Sequence, residues 1–185
     1  MKKFDALFLD RDGVINNDYG HVGYWNDFRY VDKFLEAINT LKNHYEKLFI
    51  VTNQAGIAKG KYTVEDFKKL NDTMVRDLGM KGVKVDQTYF CAHHPNGVIP
   101  EYSKQCNCRK PNPGMLNRAI SEHNLQPVNC MMVGDKCSDI LAANRAGIGR
   151  CYLVRSDGRL KFDECDSPCH KANSLHDVAL KLDVS

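Results

Sequence analysis

Asp10 and Asp12 are the residues of this chain best suited to chemistry. They flank Arg11 in Asp10-Arg11-Asp12-Gly13-Val14, directly after the apolar run Ala6-Leu7-Phe8-Leu9. Two carboxylates one residue apart at a strand end can divide a phosphoryl transfer between them. One attacks phosphorus; the other protonates the leaving oxygen and later deprotonates water. An ionised carboxylate beside an anionic phosphate needs a cation, and Mg²⁺ suits carboxylate oxygens plus substrate phosphate. Asp135, in Gly134-Asp135-Lys136 after Met131-Met132-Val133, is a further ligand if its strand lies beside the first. Thr52-Asn53-Gln54 follows Leu48-Phe49-Ile50-Val51 and offers hydrogen-bond donors to phosphate oxygens. Lys110, in Arg109-Lys110-Pro111, offsets charge on a transferring group. Each fragment alone is also a common turn or a solvated surface group. Their order, and the apolar run before three of the four, argue for one shared crevice, because open parallel α/β sheets bind ligands at the carboxyl ends of their strands.

A second cluster is built from thiols. Cys91-Ala92-His93-His94-Pro95 is followed by Cys106-Asn107-Cys108. Three thiolates and one imidazole form a Cys₃His set suited to tetrahedral zinc, and the closed ligand count argues for a structural ion. The chemistry alone does not choose between His93 and His94, and unrelated buried thiols are the competing reading of the spacing.

Taken together, the four motifs resemble motifs I to IV of the haloacid dehalogenase superfamily of phosphohydrolases. The resemblance implies that Asp10 is an aspartyl nucleophile and Asp12 the general acid/base. It makes Thr52 the motif II hydroxyl, Lys110 the motif III lysine and Asp135 the acidic ligand that completes a Mg²⁺ site with Asp10 and Asp12. Asp139 matches a second acidic position, acting through the metal's outer shell. Within the superfamily, the two cysteine stretches, Arg109-Lys110-Pro111 and Pro113-Gly114-Met115-Leu116 are similar to the D-glycero-D-manno-heptose-1,7-bisphosphate 7-phosphatases over about residues 5–155. That likeness implies zinc on Cys91, His93, Cys106 and Cys108, pinning the loop that ends in Arg109 and Lys110. It implies removal of the C7 phosphate of a heptose bisphosphate through an aspartyl-phosphate, in the supply of nucleotide-activated heptose for lipopolysaccharide. Histidinol-phosphate phosphatases are similar too, with a shorter stretch between the ligand pairs. The stretch from His94 to Gln105 favours the heptose branch, and action on histidinol phosphate or another small phosphomonoester is the alternative. Asp18-Tyr19-Gly20-His21 matches a sugar-touching stretch and Lys136 a substrate-contacting position. Arg109 carries a fork of donors suited to a second phosphate, with Lys59 and Lys61 near the same crevice.

These side chains must be positioned by strands and helices in alternation, which argues for a parallel sheet. Strands are expected near 6–10, 47–51, 86–91, 130–134 and 150–154, with a short one near 169–173. Apolar residues near period 3.6 predict helices over 33–45 and 64–78. Thr63 and Asp66 resemble a capping box, and Asn112-Pro113 reads as a helix start with Asn as cap. A helix from about Asp139 stops at Gly147, and Ser174 with Asp177 caps a last one. The expected fold is a Rossmann-like, doubly wound α/β domain of the haloacid dehalogenase type over 1–185. It has a zinc loop at about 91–110 and no separate cap domain. Long connections at 16–31 and 92–112 are functional candidates.

A chain of 185 residues suits one domain with a full core. A net charge of +3 and the absence of a basic stripe argue against nucleic acid. No signal-peptide pattern and no apolar run of membrane-spanning length is present, so a cytoplasmic, monomeric enzyme acting on a small molecule is expected. Cys130, Cys137 and Cys151 read as small core thiols. Cys165 and Cys169 read as unpaired thiols, with a second metal site including His170 as the lesser reading.

Overall fold

The computed structural model describes residues 3–155 and 161–184. Six strands, all parallel, form one sheet: β1 (Phe4–Leu9), β2 (Tyr45–Asn53), β3 (Gln87–Cys91), β4 (Cys130–Gly134), β5 (Arg150–Val154) and β6 (His170–Ala172). Their spatial order is β3-β2-β1-β4-β5-β6. The order reverses between β1 and β4, where Leu9 lies opposite Val133. A crevice at such a reversal is where open α/β sheets bind ligands.

The helices are α1 (Phe34–Leu41), α2 (Ala55–Ala58), α3 (Val64–Met80), α4 (Gly114–Glu122), α5 (Cys137–Arg145) and α6 (Leu175–Asp183). The strands sort them into two layers by period-two alternation. Leu7, Leu9, Leu48, Ile50, Met131, Val133, Tyr152 and Val154 share a core with α1, α3 and α6. Their neighbours Ala6, Phe8, Phe49, Val51, Cys130, Met132, Cys151 and Leu153 face α4 and α5. Strands buried on both faces read as continuous apolar runs, which is why β1, β2 and β4 stand out in the sequence.

Every expected strand is present, displaced by no more than two residues at most boundaries. The capping box at Thr63 forms in both directions, with Asp66 N–H donating to Thr63 Oγ1 (3.1 Å) and Thr63 N–H to Asp66 Oδ2 (2.9 Å). Ser174 caps α6 through Asp177 N–H (3.2 Å). Three boundaries differ. The first helix stops at Leu41 because His44 N–H closes a turn on Leu41 and Tyr45 already pairs with Phe4 in the sheet. The expected cap at Asn112 is not used. Pro113 takes the cap position, Gly114 N–H is satisfied by Asn107 O (3.0 Å), and Asn112 Nδ2 instead donates to Cys106 O (2.8 Å), closing the cysteine loop. α5 begins at Cys137, two residues early, because the Asp139 carboxylate accepts Lys136 N–H (3.0 Å) from within the first turn.

One cysteine expectation fails outright. Cys137 and Cys165 are joined in a disulfide, so Cys165 is not an unpaired thiol and Cys137 is not a simple core thiol. Their Cα atoms are 5.0 Å apart, inside the bridging range. Two groups of metal-binding side chains converge among the described residues, and Cys165, Cys169 and His170 belong to neither. No described helix is long and apolar enough to cross a membrane.

Candidate active site and metal centres

At the carboxyl ends of β1, β2 and β4 lies a cavity of about 440 Å³. Asp10 follows β1 and is held there by its N–H, which donates to Val133 O (3.0 Å). Gly13, at φ 90°, turns the chain back behind it, a conformation that favours glycine. Lys110 arrives from the long 92–112 connection and is buried at the cavity floor. Its ammonium donates to Asp10 Oδ1 (2.8 Å) and Val51 O (2.6 Å) and pairs with Asp139 Oδ1 (2.6 Å). All three of its donors are therefore used, and the lysine is fixed rather than mobile. Asn53 locks the backbone around it: Asn53 Nδ2 donates to Lys110 O (3.0 Å) and Lys110 N–H to Asn53 Oδ1 (3.1 Å).

Asp10, Asp135 and Asp139 are all buried, and one carboxylate oxygen of each lies within 4.8 Å of the others. Burial pushes Asp10 up to about 8, with Asp139, Asp135 and Asp12 adding to the shift and Lys110 opposing it. Burial draws Lys110 down, but Asp10 and Asp139 more than offset it, and its ammonium titrates above the usual lysine value. A buried acidic trio with a single lysine is short of positive charge. Hard oxygen donors with excess negative charge fit a Mg²⁺ ion. Asp139 already accepts from Lys110 and from Lys136 N–H, which leaves it oriented by the site more than open to it.

Asp12 sits beside this trio under a different set of partners. Its Oδ1 accepts from Arg11 Nη2 (2.7 Å) and Asn16 Nδ2 (3.0 Å), and its Oδ2 from Gln54 Nε2 (2.9 Å). Gln54 in turn accepts from Tyr62 OH (2.6 Å) and donates to Thr52 Oγ1 (2.7 Å). Thr52 and Gln54 are thus buried behind the cavity wall, whereas Asn53 lines it. Arg11, Asn16 and Tyr62 escaped the sequence reading. Arg11 had a signal: a cation between two strand-end carboxylates is poorly placed for solvent. It is fully buried, with its guanidinium 5.6 Å from the Phe67 ring centre and a hydrogen bond to Val22 O (2.7 Å).

The upper wall is cationic. Arg109, Lys59, His21, His94 and Lys136 line it, with Asp18 and Gly20 beside them. Lys136 Nζ pairs with Asp18 Oδ2 (3.2 Å). Burial lowers its pKa, but Asp135, Asp10 and Asp18 raise it further, so it stays charged. Burial lowers His94, and Arg109, Lys59 and His21 reinforce this; His21 is lowered by burial and by Lys59. The positive field that lowers both imidazoles is the field an anion would relieve. Tyr19 points away from this cavity. It is 68% exposed and borders a neighbouring hollow with His21 and Arg29.

A second group able to hold a metal lies at the root of the loop carrying Arg109 and Lys110. Cys91 Sγ, Cys106 Sγ, Cys108 Sγ and His93 Nδ1 lie within 4.8 Å of one another. The sulfur separations are 3.1, 3.2 and 3.5 Å, and His93 Nδ1 is 3.4 Å from Cys108 Sγ and 3.7 Å from Cys91 Sγ. A tetrahedron with zinc–sulfur bonds has edges of about 3.7 Å, so the donor set fits that ion. His93 is the imidazole of the set. His94 turns to the cavity, its Nδ1 accepting Asn96 N–H (3.1 Å). Arg109 Nη1 donates to His93 O (3.2 Å), a direct tie between the cluster and the cavity wall.

A HAD-hydrolase-like family model matches residues 107–179. Among curated proteins, the chain is 46% identical over 151 residues to a D-glycero-beta-D-manno-heptose-1,7-bisphosphate 7-phosphatase of Yersinia pestis, covering 82% of this chain and 80% of that protein. It is 42% identical over 154 residues to a D-glycero-alpha-D-manno-heptose-1,7-bisphosphate 7-phosphatase of Photorhabdus laumondii, covering 83% and 84%. The chain belongs to the heptose-1,7-bisphosphate 7-phosphatase family. A solved member of this heptose bisphosphatase family, the D,D-heptose 1.7-bisphosphate phosphatase of B. bronchiseptica complexed with magnesium and phosphate, superposes with a TM-score of 0.83 at 28% identity. The match covers 98% of each chain. The family likeness therefore spans β1 to α6, and relatives named for each anomer occur among the heptose bisphosphatases.

Proposed function

We propose that this chain is a Mg²⁺-dependent phosphatase that removes the C7 phosphate of D-glycero-D-manno-heptose 1,7-bisphosphate. The observation that carries the reading is the pairing of a buried Asp10, held by Lys110 amid a carboxylate trio, with a cationic wall across the same cavity. Asp10 Oδ attacks phosphorus and becomes an aspartyl-phosphate. Asp12, gripped by Arg11, Asn16 and Gln54, gives a proton to the departing C7 oxygen and takes one from the hydrolytic water. Lys110 balances charge on the transferring group and keeps Asp10 in line. Asp10 and Asp135 would hold Mg²⁺, with Asp139 orienting the set; Asp12, which the sequence reading counted among the ligands, lies outside this group with both carboxylate oxygens engaged by Arg11, Asn16 and Gln54. Bound there, the ion supplies positive charge to the carboxylates and the phosphoryl oxygens together. Thr52, Asn53 and Gln54 shape the phosphate seat: Asn53 lines it, and the other two brace Asp12 from behind.

The C1 phosphate stays at the mouth, against Arg109, with Lys136, Asp18, Gly20 and His21 around the sugar; Tyr19, which the sequence reading placed with them, lies outside this cavity. Zinc on Cys91, His93, Cys106 and Cys108 fixes the loop that delivers Arg109 and Lys110 and takes no part in the chemistry. The reading is tested by phosphate release from both heptose bisphosphate anomers, fructose 1,6-bisphosphate and histidinol phosphate. A heptose preference is expected; a preference for histidinol phosphate would favour the alternative. Arg109→Ala should cost about 1–3 kcal/mol in kcat/KM on the bisphosphate and less on a small monophosphate. Equal losses on both would place Arg109 on the transferring phosphate instead.

A further inference from the structure

The disulfide of Cys137 and Cys165 lies outside the metal centres, and the catalytic scheme above does not use it. Its position is informative. Cys137 opens α5 and directly follows Lys136, in the turn that also carries Asp135 and Asp139. Cys137 N–H donates to Asp163 Oδ2 (2.7 Å), two residues before the other half of the bridge. The bridge therefore seats an anionic side chain on the free N–H at the start of α5, next to the Asp139 carboxylate that takes Lys136 N–H. From there the connection to the cavity is short. Asp139 pairs with Lys110, and Lys136 lines the wall and reaches Asp18. Besides the bridge, the 161–169 segment is held by Asn144 Nδ2 to Ser167 Oγ (2.7 Å) and Pro168 O (3.0 Å) and by Phe162, which packs against the α4–α5 side of the sheet.

We propose that Cys137 and Cys165 form a reversible thiol–disulfide site whose closed state fixes the Lys136 turn and whose open state loosens it. The other six cysteines are free, and three of them form the cluster that must be reduced to bind metal. A lone disulfide in so thiol-rich a chain has the character of a redox-active bond rather than a structural staple. Both sulfur-bearing residues are only partly buried. A thiolate attacks one sulfur, the Cys137–Cys165 bond breaks and a mixed disulfide forms. A second thiol then displaces the remaining protein sulfur. Two thiols are oxidised to one disulfide, and the cysteine pair gains two electrons and two protons. A small disulfide such as oxidised glutathione runs the exchange in reverse.

The test has a chemical arm and a kinetic arm. Protein equilibrated across glutathione ratios is alkylated, digested and mapped by mass, which reads the pair without reference to phosphatase activity. A bridged peptide containing Cys137 and Cys165 is expected at oxidising ratios and two alkylated peptides at reducing ones. Opening the bridge with a phosphine, with zinc content followed throughout, should raise KM for the heptose bisphosphate roughly three- to tenfold and change kcat less, because a binding residue is loosened and the nucleophile is not. Reoxidation should restore it. Cys165→Ser should hold the raised KM and respond to neither treatment. Three results would overturn the proposal: no bridged peptide at any ratio, equal KM in the two states, or the same redox response in Cys165→Ser, which would assign the effect to the zinc-type thiols.

Discussion

At the scale of single residues, the site works by unequal treatment of two carboxylates that are neighbours in sequence. Asp10 is buried among Asp135, Asp139 and one lysine, and burial pushes it up to about 8. Asp12 is surrounded by donors from Arg11, Asn16 and Gln54. The two variants should fail differently. Asp10→Asn keeps the side-chain shape, removes the proposed nucleophile and relieves a buried charge conflict. No turnover is expected, together with a melting temperature of the metal-free protein no lower than that of the parent. Near-parental phosphate release would sink the covalent route. Asp12→Asn should lose roughly 10²–10⁴-fold on substrates with poor leaving groups and much less on an activated aryl phosphate. Measuring both substrate types checks the general-acid role directly. Tyr62→Phe removes the donor that braces Gln54 and should lower kcat more than it raises KM; unchanged kcat would separate the brace from catalysis.

At the scale of elements, the 92–112 connection is the part on which the cavity most depends. It has little regular structure, yet it delivers a fully engaged Lys110 and, in His94 and Arg109, two of the five residues of the upper wall. Its order comes from local ties: Asn112 to Cys106 O, Gly114 N–H to Asn107 O, Arg109 to His93 O and the four-ligand cluster. Cys106→Ser should release the metal and weaken substrate binding through Arg109 and Lys110, read as lost zinc by elemental analysis together with a raised KM. Full metal content or unchanged KM would show that the hydrogen bonds hold the loop unaided. The contrast is α3, whose capping-box residues Thr63 and Asp66 do not line the cavity. Thr63→Ala should cost about 1 kcal/mol of stability and leave kcat/KM untouched.

At the scale of the whole molecule, the sheet collects acidic groups at one edge of a crevice and basic groups at the other, and this couples stability to pH and to metal. A carboxyl whose folded value lies near 8 binds a proton in the folded state that the unfolded chain has already lost above its ordinary value. Its contribution to stability therefore falls as pH rises from about 4 to 8. Metal binding reverses this, because the ion needs Asp10 ionised and releases its proton. The expected result is a Mg²⁺-induced rise in melting temperature that is small at pH 6 and larger at pH 8, with net proton release on binding by calorimetry. A metal-induced shift independent of pH would show that Asp10 is ionised in the free protein.

The amino-acid sequence by itself determined the layers and the parts. Apolar runs buried on both faces marked β1, β2 and β4, period 3.6 marked α3, and Asp10, Asp12, Lys110, Asp135 and the Cys₃His set were legible because their chemistry is tied to short spacings. What it left open were matters of partnership across distance. Ligand chemistry alone did not choose between His93 and His94; the folded loop puts His93 with the thiols, as the family resemblance implied. Thr52 and Gln54 stand behind Asp12 while Asn53 faces the cavity, because where the backbone turns after β2 sets the direction of each side chain. Arg11 is buried, Asn112 spends its amide on the cysteine loop instead of a helix cap, and Cys137 meets Cys165 across 28 residues. Local pattern encodes which surfaces are apolar and which groups can react. Only the packed chain, by bringing remote donors, acceptors and sulfurs within a few ångströms, decides which of those groups meet.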